Sequence, residues 1–213
     1  MDIKSVKVYI ISPMEGKYKE RSDIVSQRVK DIGFTNVVVF KSISDANNTN
    51  SLTKTVMEIF NGELNNTEPF IILEDDCGIG NNKDLIEIPE STDVLYLGVA
   101  SWIYPHDYWT LGKGYHIRPN QSHDIIDYSE CLTKINGMTS GHAIMFISRA
   151  YMREFIEKME PLLEKNMAHD LVFATMHKNY TVLALKEPMF YQDSSLGGQE
   201  DVTRLTYRDG RYC

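Results

Sequence analysis

Three consecutive carboxylates, Glu74-Asp75-Asp76, are the residues in this chain whose types and spacing are best suited to chemistry. They follow the apolar run Pro69–Leu73, which predicts a buried strand, and open α/β sheets bind ligands at the carboxyl ends of their strands. Alternation along a strand places Glu74 and Asp76 on one side and Asp75 on the other. Such close like charges repel unless a cation or hydrogen bonds offset them. A hard divalent ion, Mg²⁺ or Mn²⁺, would bind these carboxylate oxygens and bridge them to a diphosphate. The alternative interpretation is that the three acids are solvated residues of a turn.

Two later segments also have a chemical and a purely structural interpretation. Gly141 and His142 precede a predicted strand, where small residues either let the backbone approach a ligand or form a tight turn. Asp170 lies at the start of a predicted helix, where it would either cap the helix or act as a general base in a cleft. The neighbouring His169 is the weaker candidate of that pair.

The first half of the chain alternates between strand and helix patterns. Strands are predicted at Val6–Ile11, Val37–Phe40, Pro69–Leu73 and Asp93–Val99, and helices at Ile24–Ile32, ending at Gly33, and at Leu52–Phe60, ending at Asn61-Gly62. This alternation implies right-handed βαβ units and a mostly parallel central sheet flanked by helices. The fold class is therefore α/β.

The second half is less regular. Residues 101–136 predict irregular loop and hairpin structure, and the tail from Gln192 to Cys213 is polar and weakly patterned. Between them we predict a strand at Ala143–Ile147, a helix capped by Ser148, a helix at Ala168–His177 and a strand at Thr181–Leu185. The first of these helices has an inward face of Met152, Phe155, Ile156 and Met159. With no repeat and no linker, residues 1–213 are best described as a single domain, or as one module of a longer protein.

Composition excludes several classes of function. The chain has 213 residues, a hydrophobic fraction of 42% and a formal net charge of -8 without a basic patch, which argues against nucleic-acid binding. No apolar run is long enough for a transmembrane segment, and the N-terminus has no signal-peptide pattern. The spacing of Cys77, Cys131 and Cys213 favours reduced thiols, and hence a cytoplasmic protein.

The order of these segments resembles that of GT-A nucleotide-sugar glycosyltransferases, and most closely the family 25 type, which includes lipopolysaccharide and collagen galactosyltransferases. The matching segments are Val8–Ser12 with Arg21, Ile72–Asp76, Val94–Gly98, Gly141–Ser148, Asp170 and Pro188–Gln192. The segment Ile72–Asp76 is similar to that family's version of the metal-binding Asp-x-Asp motif. Ile stands in Gly141–Ser148 where an aromatic residue is more usual, and residues 101–136 depart from the pattern.

The resemblance implies a nucleotide-sugar half at about residues 1–100 and an irregular acceptor half at about 101–213. It implies a hexosyltransferase that uses Mn²⁺ or Mg²⁺ and a UDP-sugar donor, with a glycan hydroxyl as acceptor. Asp76 and Glu74 would contact the metal and Asp75 would support it or hold the ribose. Ser12, Pro13, Arg21, Gly141 and His142 would bind the donor nucleotide. The size and acidity are also similar to glycosyltransferase modules of large algal viruses, which implies the host cytoplasm.

The resemblance gives Asp170 one of two roles. It is the general base if transfer inverts the anomeric carbon, or it orients the donor sugar if configuration is retained. Trp102, Tyr104 and Trp109 are acceptor-stacking candidates, because aromatic faces pack on sugar rings. His116, His123 and His177 receive no role.

Three alternative functions use similar features. A nucleotidyltransferase would bind triphosphate with a Gly-rich basic loop, but Ser12–Lys17 has only one Gly and one Lys. A non-catalytic glycan- or nucleotide-binding module would keep the sheet and lose metal dependence. A phospho-accepting receiver domain is disfavoured because its acids lie at the first strand, which here ends in Ser12.

Overall fold

A computed structural model describes residues 1–98, 126–135, 141–198, 207–208 and 211–212. Its first half contains β1 (Lys7–Ser12), α1 (Lys17–Asp31), β2 (Val37–Lys41), α2 (Asn48–Glu63), β3 (Phe70–Glu74), β4 (Cys77–Ile79) and β5 (Val94–Gly98). Its second half contains β6 (Ile126–Asp127), β7 (Leu132–Lys134), β8 (Ala143–Phe146), α3 (Arg149–Met159), α4 (His169–Met176), β9 (Val182–Leu185), β10 (Phe190–Gln192), β11 (Tyr207–Arg208) and β12 (Arg211–Tyr212).

The ends of the helices follow from local chemistry. Gly33 adopts φ 104 just after α1, a left-handed conformation that glycine tolerates at helix ends, as the sequence predicted. Ser148 accepts a hydrogen bond from the Tyr151 N–H at 3.3 Å and caps α3, also as predicted. The prediction that α2 ends at Asn61-Gly62 is wrong, because the helix continues to Glu63. There the Glu63 carboxylate accepts hydrogen bonds from Lys7 and Tyr9 of β1, and these contacts hold the last turn.

Eight described strands form one sheet in the order β2-β1-β3-β8-β5-β9-β7-β6. The pairs β1–β2, β1–β3 and β5–β9 are parallel, and β8 runs antiparallel between β3 and β5. The α/β class with flanking helices is therefore confirmed. The sheet is more mixed than the βα alternation predicted, because β8 and β7 oppose the direction of the other six strands.

The two faces of the sheet carry separate apolar cores. Val25 and Val29 of α1 pack on one face with Val8, Ile10 and Leu73. The opposite face packs against α2, α3 and α4, and an aromatic cluster lies at its centre. This cluster comprises Phe60, Phe70, Phe146, Phe155 and Phe173. Burial on both faces explains why the central strands read as continuous apolar runs.

The chain reverses its direction of travel across the sheet between β1 and β3. The connection after β1 passes through α1 to β2 on one side, whereas β3 lies on the other side of β1. Loops that diverge in this way leave a crevice beyond the carboxyl ends of the two strands, and such crevices bind ligands in open α/β sheets. Ser12 and Glu74 are the last residues of these two strands.

The irregular middle of the chain is described only in part. Within residues 126–135, β6 and β7 pair as an antiparallel hairpin, in line with the predicted loop and hairpin structure. The acceptor candidates Trp102, Tyr104 and Trp109, together with His116 and His123, lie outside the described residues. In the part of the chain that is described, no helix combines the length and apolar character needed to cross a bilayer.

Phe60 tests the larger core. Its ring contacts Phe146 at 4.7 Å and Phe155 at 5.3 Å between centroids, so Phe60→Ala would leave a cavity in the cluster. We expect a loss of about 3–5 kcal/mol in the free energy of unfolding, measured by urea denaturation. The control Val38→Ala lies on the edge strand β2, where the side chain is 37% exposed, and should cost less than about 1 kcal/mol. Equal losses in the two variants would contradict this packing.

Candidate active site at the carboxyl edge of the sheet

The carboxyl ends of β1, β3 and β5 meet the start of β8 at one edge of the sheet. Antiparallel β8 places His142 beside the end of β3, where the Glu74 N–H donates to the His142 carbonyl oxygen at 3.0 Å. The same edge carries Ser12 at the end of β1 and Gly98 at the end of β5. Segments far apart in the sequence, including most of the predicted site residues, are therefore neighbours here.

Asp75 faces the α1 side of the edge. The Ser12 hydroxyl donates to Asp75 Oδ2 at 2.6 Å, and Arg21 Nη1 of α1 lies 3.9 Å from Asp75 Oδ1. Burial raises the pKa of Asp75, although Ser12 and Arg21 act in the opposite direction. Ser12, Arg21 and Asp75, which the sequence assigned to the nucleotide, thus form one contact group across the crevice between β1 and β3.

Glu74 faces the opposite side, towards α2 and α4. Its carboxylate accepts a hydrogen bond from Gln192 Nε2 of β10 at 3.0 Å. Burial, followed by the charge of Asp76, raises the pKa of Glu74 to about 8. The predicted separation of Glu74 and Asp75 is confirmed, because Glu74 borders a cavity lined by α2 and α4 whereas Asp75 contacts Arg21 of α1. The prediction that Asp76 shares the side of Glu74 rested on strand alternation, which ends with β3 at Glu74.

Asp76 lies in the turn between β3 and β4, electrostatically coupled to both neighbouring acids. Burial, followed by the charge of Asp75, raises the pKa of Asp76 to about 6. The positive charge of Arg21 acts in the opposite direction but only partly offsets this increase. Its Oδ1 atom is buried and has no hydrogen-bond partner among the described residues. Asp76 therefore combines a buried, unpaired oxygen with a shortage of nearby positive charge.

Asp170 lies in the first turn of α4 without capping it. The helix begins after Ala168, which provides no side-chain cap, and Asp170 Oδ1 is buried with no hydrogen-bond partner in the described part of the chain. Burial and the charge of Glu74 raise the pKa of Asp170 well above its usual range. His169 Nε2 is 3.5 Å from Asp170 Oδ1, but burial lowers the pKa of His169 to about 4, so the two side chains do not form an ion pair at neutral pH.

Gly141 and His142 immediately precede β8 and lie beside the end of β3. A side chain at Gly141 would collide with the Tyr96 ring, so this glycine permits close packing within the protein. His142 is buried against Gly98, and burial lowers the pKa of His142 to about 4. The Phe190 carbonyl oxygen acts on this pKa in the opposite direction.

The side of the edge that faces α4 contains a small cavity. Its volume of about 20 Å³ is enough for roughly one water molecule. Glu74, His142 and His169 supply its polar wall, and apolar residues from β1, α2, β3, β8 and α4 supply most of the rest. The carboxyl group of Glu74 therefore borders a small, mostly apolar cavity.

The loop after β1 carries a feature that sequence patterns do not reveal. Met14 adopts φ 58 and Gly16 adopts φ 52, and a non-glycine residue in this region is uncommon. The Met14 N–H donates to Ser12 Oγ at 3.2 Å, so the strained turn is tied to the residue that holds Asp75. Pro13, a predicted nucleotide contact, is exposed in the same loop.

The sequence did not point to Asp193, and it gave no role to His177. Asp193 donates its N–H to the Asp76 carbonyl oxygen at 2.7 Å, a contact that depends on the β4–β10 pairing and has no local sequence signal. His177 is fully buried 3.3 Å from the Tyr96 hydroxyl, in the core. Its ring packs edge-on against that of Tyr96.

The donor atoms at the edge suit a hard divalent cation bound jointly with a ligand. Carboxylate oxygens are the ligands that Mg²⁺ prefers, and Mg²⁺ is usually bound through one or two carboxylates with substrate phosphates. Among the described residues no group of three or more His, Cys, Asp or Glu side chains is arranged around one metal position. The unpaired oxygen of Asp76 fits such a shared site, in which the protein supplies few ligands.

Comparison of the sequence with models of known protein families and with curated proteins finds no match. The function of this site is therefore argued from its residues and their geometry.

The acidity of the site predicts an unusual dependence of stability on pH in the metal-free protein. Glu74 has a pKa of about 8 when folded and an ordinary value of 4.5, so the folded state holds an extra proton between these values. Stability attributable to Glu74 must then fall as the pH rises from about 4.5 to 8. Glu74→Gln keeps a group that can bond to Gln192 and should be more stable than wild type by roughly 1–3 kcal/mol at pH 8.

The measurement is urea unfolding at several pH values with a chelator present. The gain from Glu74→Gln should disappear below about pH 4.5, where Glu74 is protonated in both states. Glu58→Gln, on the exposed face of α2, serves as the control and should change little at any pH. If Glu74→Gln is less stable than wild type at pH 8, the negative charge of Glu74 is compensated in the folded protein and the prediction is wrong.

Proposed function

We propose that this protein is a metal-dependent glycosyltransferase that moves a sugar from a nucleoside-diphosphate sugar, a UDP-sugar, to a hydroxyl of a glycan acceptor. The supporting observation is the pairing at the β1/β3 crevice of under-compensated carboxylates, Asp75 and Asp76, with the guanidinium of Arg21. Such a site attracts a divalent cation and a diphosphate together. The GT-A architecture of the family 25 type belongs to the same proposal.

The donor diphosphate would lie beside Arg21. A guanidinium presents a planar set of donors that matches phosphate oxygens, and Arg21 is held near the crevice by α1. The Ser12 hydroxyl keeps Asp75 oriented, and Ser12 and Pro13 border the space where the nucleotide would bind. Asp75 is then placed to support the metal or to bind the ribose.

Asp76 would hold Mn²⁺ or Mg²⁺ together with Glu74. A bound divalent ion supplies Lewis-acid stabilisation of the negative charge that develops on the departing phosphate. Nearby positive charge favours the ionised form of a carboxyl group, so the raised pKa values of Glu74 and Asp76 would fall in the loaded protein. Gln192 keeps Glu74 oriented through the hydrogen bond to its carboxylate.

Asp170 would accept the proton of the acceptor hydroxyl if transfer inverts the anomeric carbon. Its burial makes the ionised carboxylate a stronger base, and its freedom from helix capping leaves the side chain available. If configuration is retained, Asp170 would orient the donor sugar. Glu74 affects both roles, because its charge raises the pKa of Asp170.

We also propose that the protein works in the cytoplasm, where its cysteines would stay reduced. Cys77 is a buried free thiol and Cys131 an exposed one, whereas Cys213 lies outside the described residues. The acceptor is proposed only as a glycan or glycoconjugate.

Calorimetry with UDP and Mn²⁺ tests the donor site. Wild-type protein should bind UDP much more tightly with Mn²⁺, and ligand at 100 times its Kd should stabilise the fold by about 2.7 kcal/mol and raise Tm by roughly 5–10 °C. Asp76→Asn should lose the metal-dependent part of both effects. Asp23→Asn changes an exposed α1 acid that pairs with Lys19, and should bind as wild type does. A Kd for UDP that is the same with and without Mn²⁺ would favour a non-catalytic binding module.

Sugar transfer tests the base. Asp170→Asn should lower kcat by about 10²–10⁴-fold with each UDP-sugar that the wild-type protein uses. Donor affinity measured in the absence of acceptor should change little, because Asp170 is assigned to the acceptor proton. An Asp170→Asn variant with normal kcat would remove Asp170 from the mechanism.

A further inference from the structure

A segment that begins with the last residue of β10 contacts three residues of the proposed site. We call Gln192–Gly198 the strap; it contains the short 3-10 helix Ser194–Leu196. We propose that the strap is the positioning element of the site and that Asp193 and Gly197 are its positioning residues. What the strap positions is taken from the proposed function.

The strap holds two of the three acids directly. β10 pairs antiparallel with β4, with Gln192 opposite Cys77. One residue further, the Asp193 N–H donates to the Asp76 carbonyl oxygen at 2.7 Å, while the Gln192 side chain donates to the Glu74 carboxylate at 3.0 Å. The backbone of Asp76 and the side chain of Glu74 are thus fixed by consecutive residues.

The Asp193 carboxylate anchors the strap to α1. Its Oδ2 accepts from Arg28 Nη1 at 2.7 Å and its Oδ1 accepts from the Ser195 N–H at 2.8 Å. Asp193 is only 8% exposed, and burial raises its pKa, but the bonds from Ser195 and Arg28 outweigh burial and leave the pKa below its ordinary value. Because both oxygens are engaged, Asp193 acts through its neighbours, not as a metal ligand.

The far end of the strap lies against the arginine. Gly197 adopts φ 91, and a side chain at this position would overlap the guanidinium of Arg21. Arg21 and Arg28 are seven residues apart on α1, which places them on the same face two turns apart. One helix therefore supplies both the arginine that anchors the strap and the arginine that lies under Gly197, with Asp75 beside it at 3.9 Å.

The strap consequently contacts both the acids of the site, Glu74 and Asp76, and its arginine, Arg21. Losing its anchor would loosen the Asp76 backbone and the seat of Arg21 together. The two halves of the Arg28–Asp193 pair should then have the same effect when removed singly, and removing both should be no worse than removing one. A purely electrostatic role predicts opposite effects on cation binding, because one variant removes a negative charge and the other a positive charge.

The experiment compares Arg28→Met, Asp193→Asn, the double variant and Gly197→Ala. The control is Lys83→Met, which breaks another ion pair near β10, Lys83 with Glu187 at 3.6 Å, away from the acids. Two readouts are used: the Kd for UDP with saturating Mn²⁺, and backbone hydrogen exchange of the ligand-free protein. Exchange in β1 reports whether each variant remains folded.

We expect each single variant to weaken UDP binding about tenfold, the loss of roughly one positioning hydrogen bond. The Arg28/Asp193 double variant should match the singles, and Lys83→Met should bind as wild type. Exchange should accelerate at residues 74–77 and 193–198 in Arg28→Met and Asp193→Asn, with β1 unchanged.

Opposite changes in Kd for Arg28→Met and Asp193→Asn would overturn the proposal, and so would unchanged Kd values despite faster exchange. If wild-type protein does not bind UDP with Mn²⁺, the proposed function fails and hydrogen exchange alone decides on the strap. Slow wild-type exchange at residues 74–77 that both single variants accelerate would still support positioning. Exchange at residues 74–77 that neither variant alters would overturn it.

Discussion

Several acidic side chains lie close together at one edge of the sheet, where burial limits their contact with water. The rest of the site is organised around this uncompensated negative charge. Glu74, Asp75 and Asp76 follow one another at the end of a buried strand, and Asp170 lies close enough to be influenced by Glu74. Arg21 and the Ser12 hydroxyl offset part of this charge, yet the pKa values of all four acids are raised. Raised pKa values of this kind cluster at functional sites, and in the proposed function a bound cation would supply the missing positive charge.

The described strands and helices bring these groups together at one edge of the sheet. Glu74, the last residue of β3, faces α4, whereas Asp75 in the turn that follows faces α1. The reversal of the chain between β1 and β3 opens space beyond the ends of these strands. In the proposed function, Arg21 and Ser12 on the α1 side would face the anionic ligand, whereas Asp170 on the α4 side would take part in proton transfer. The strap bonds to the Asp76 backbone and the Glu74 carboxylate, and its Gly197 lies against the guanidinium of Arg21.

The sequence predicted most of the elements that carry the site and few of the contacts that complete it. Continuous apolar runs located β1, β3 and β5, and Gly33 and Ser148 correctly marked helix ends. The direction of β8 was not predictable, because a strand buried on both faces has the same apolar pattern in either direction. Asp193 was missed because its role depends on the pairing of β10 with β4, which brings together residues more than a hundred positions apart.

The most direct test is a crystal structure of the protein soaked with Mn²⁺ and UDP, with manganese located by its anomalous scattering. The account predicts one manganese peak within coordination distance of an Asp76 carboxylate oxygen, bridged to a pyrophosphate that contacts Arg21. Manganese absent from Glu74-Asp75-Asp76, with the nucleotide bound elsewhere on the protein, would contradict it.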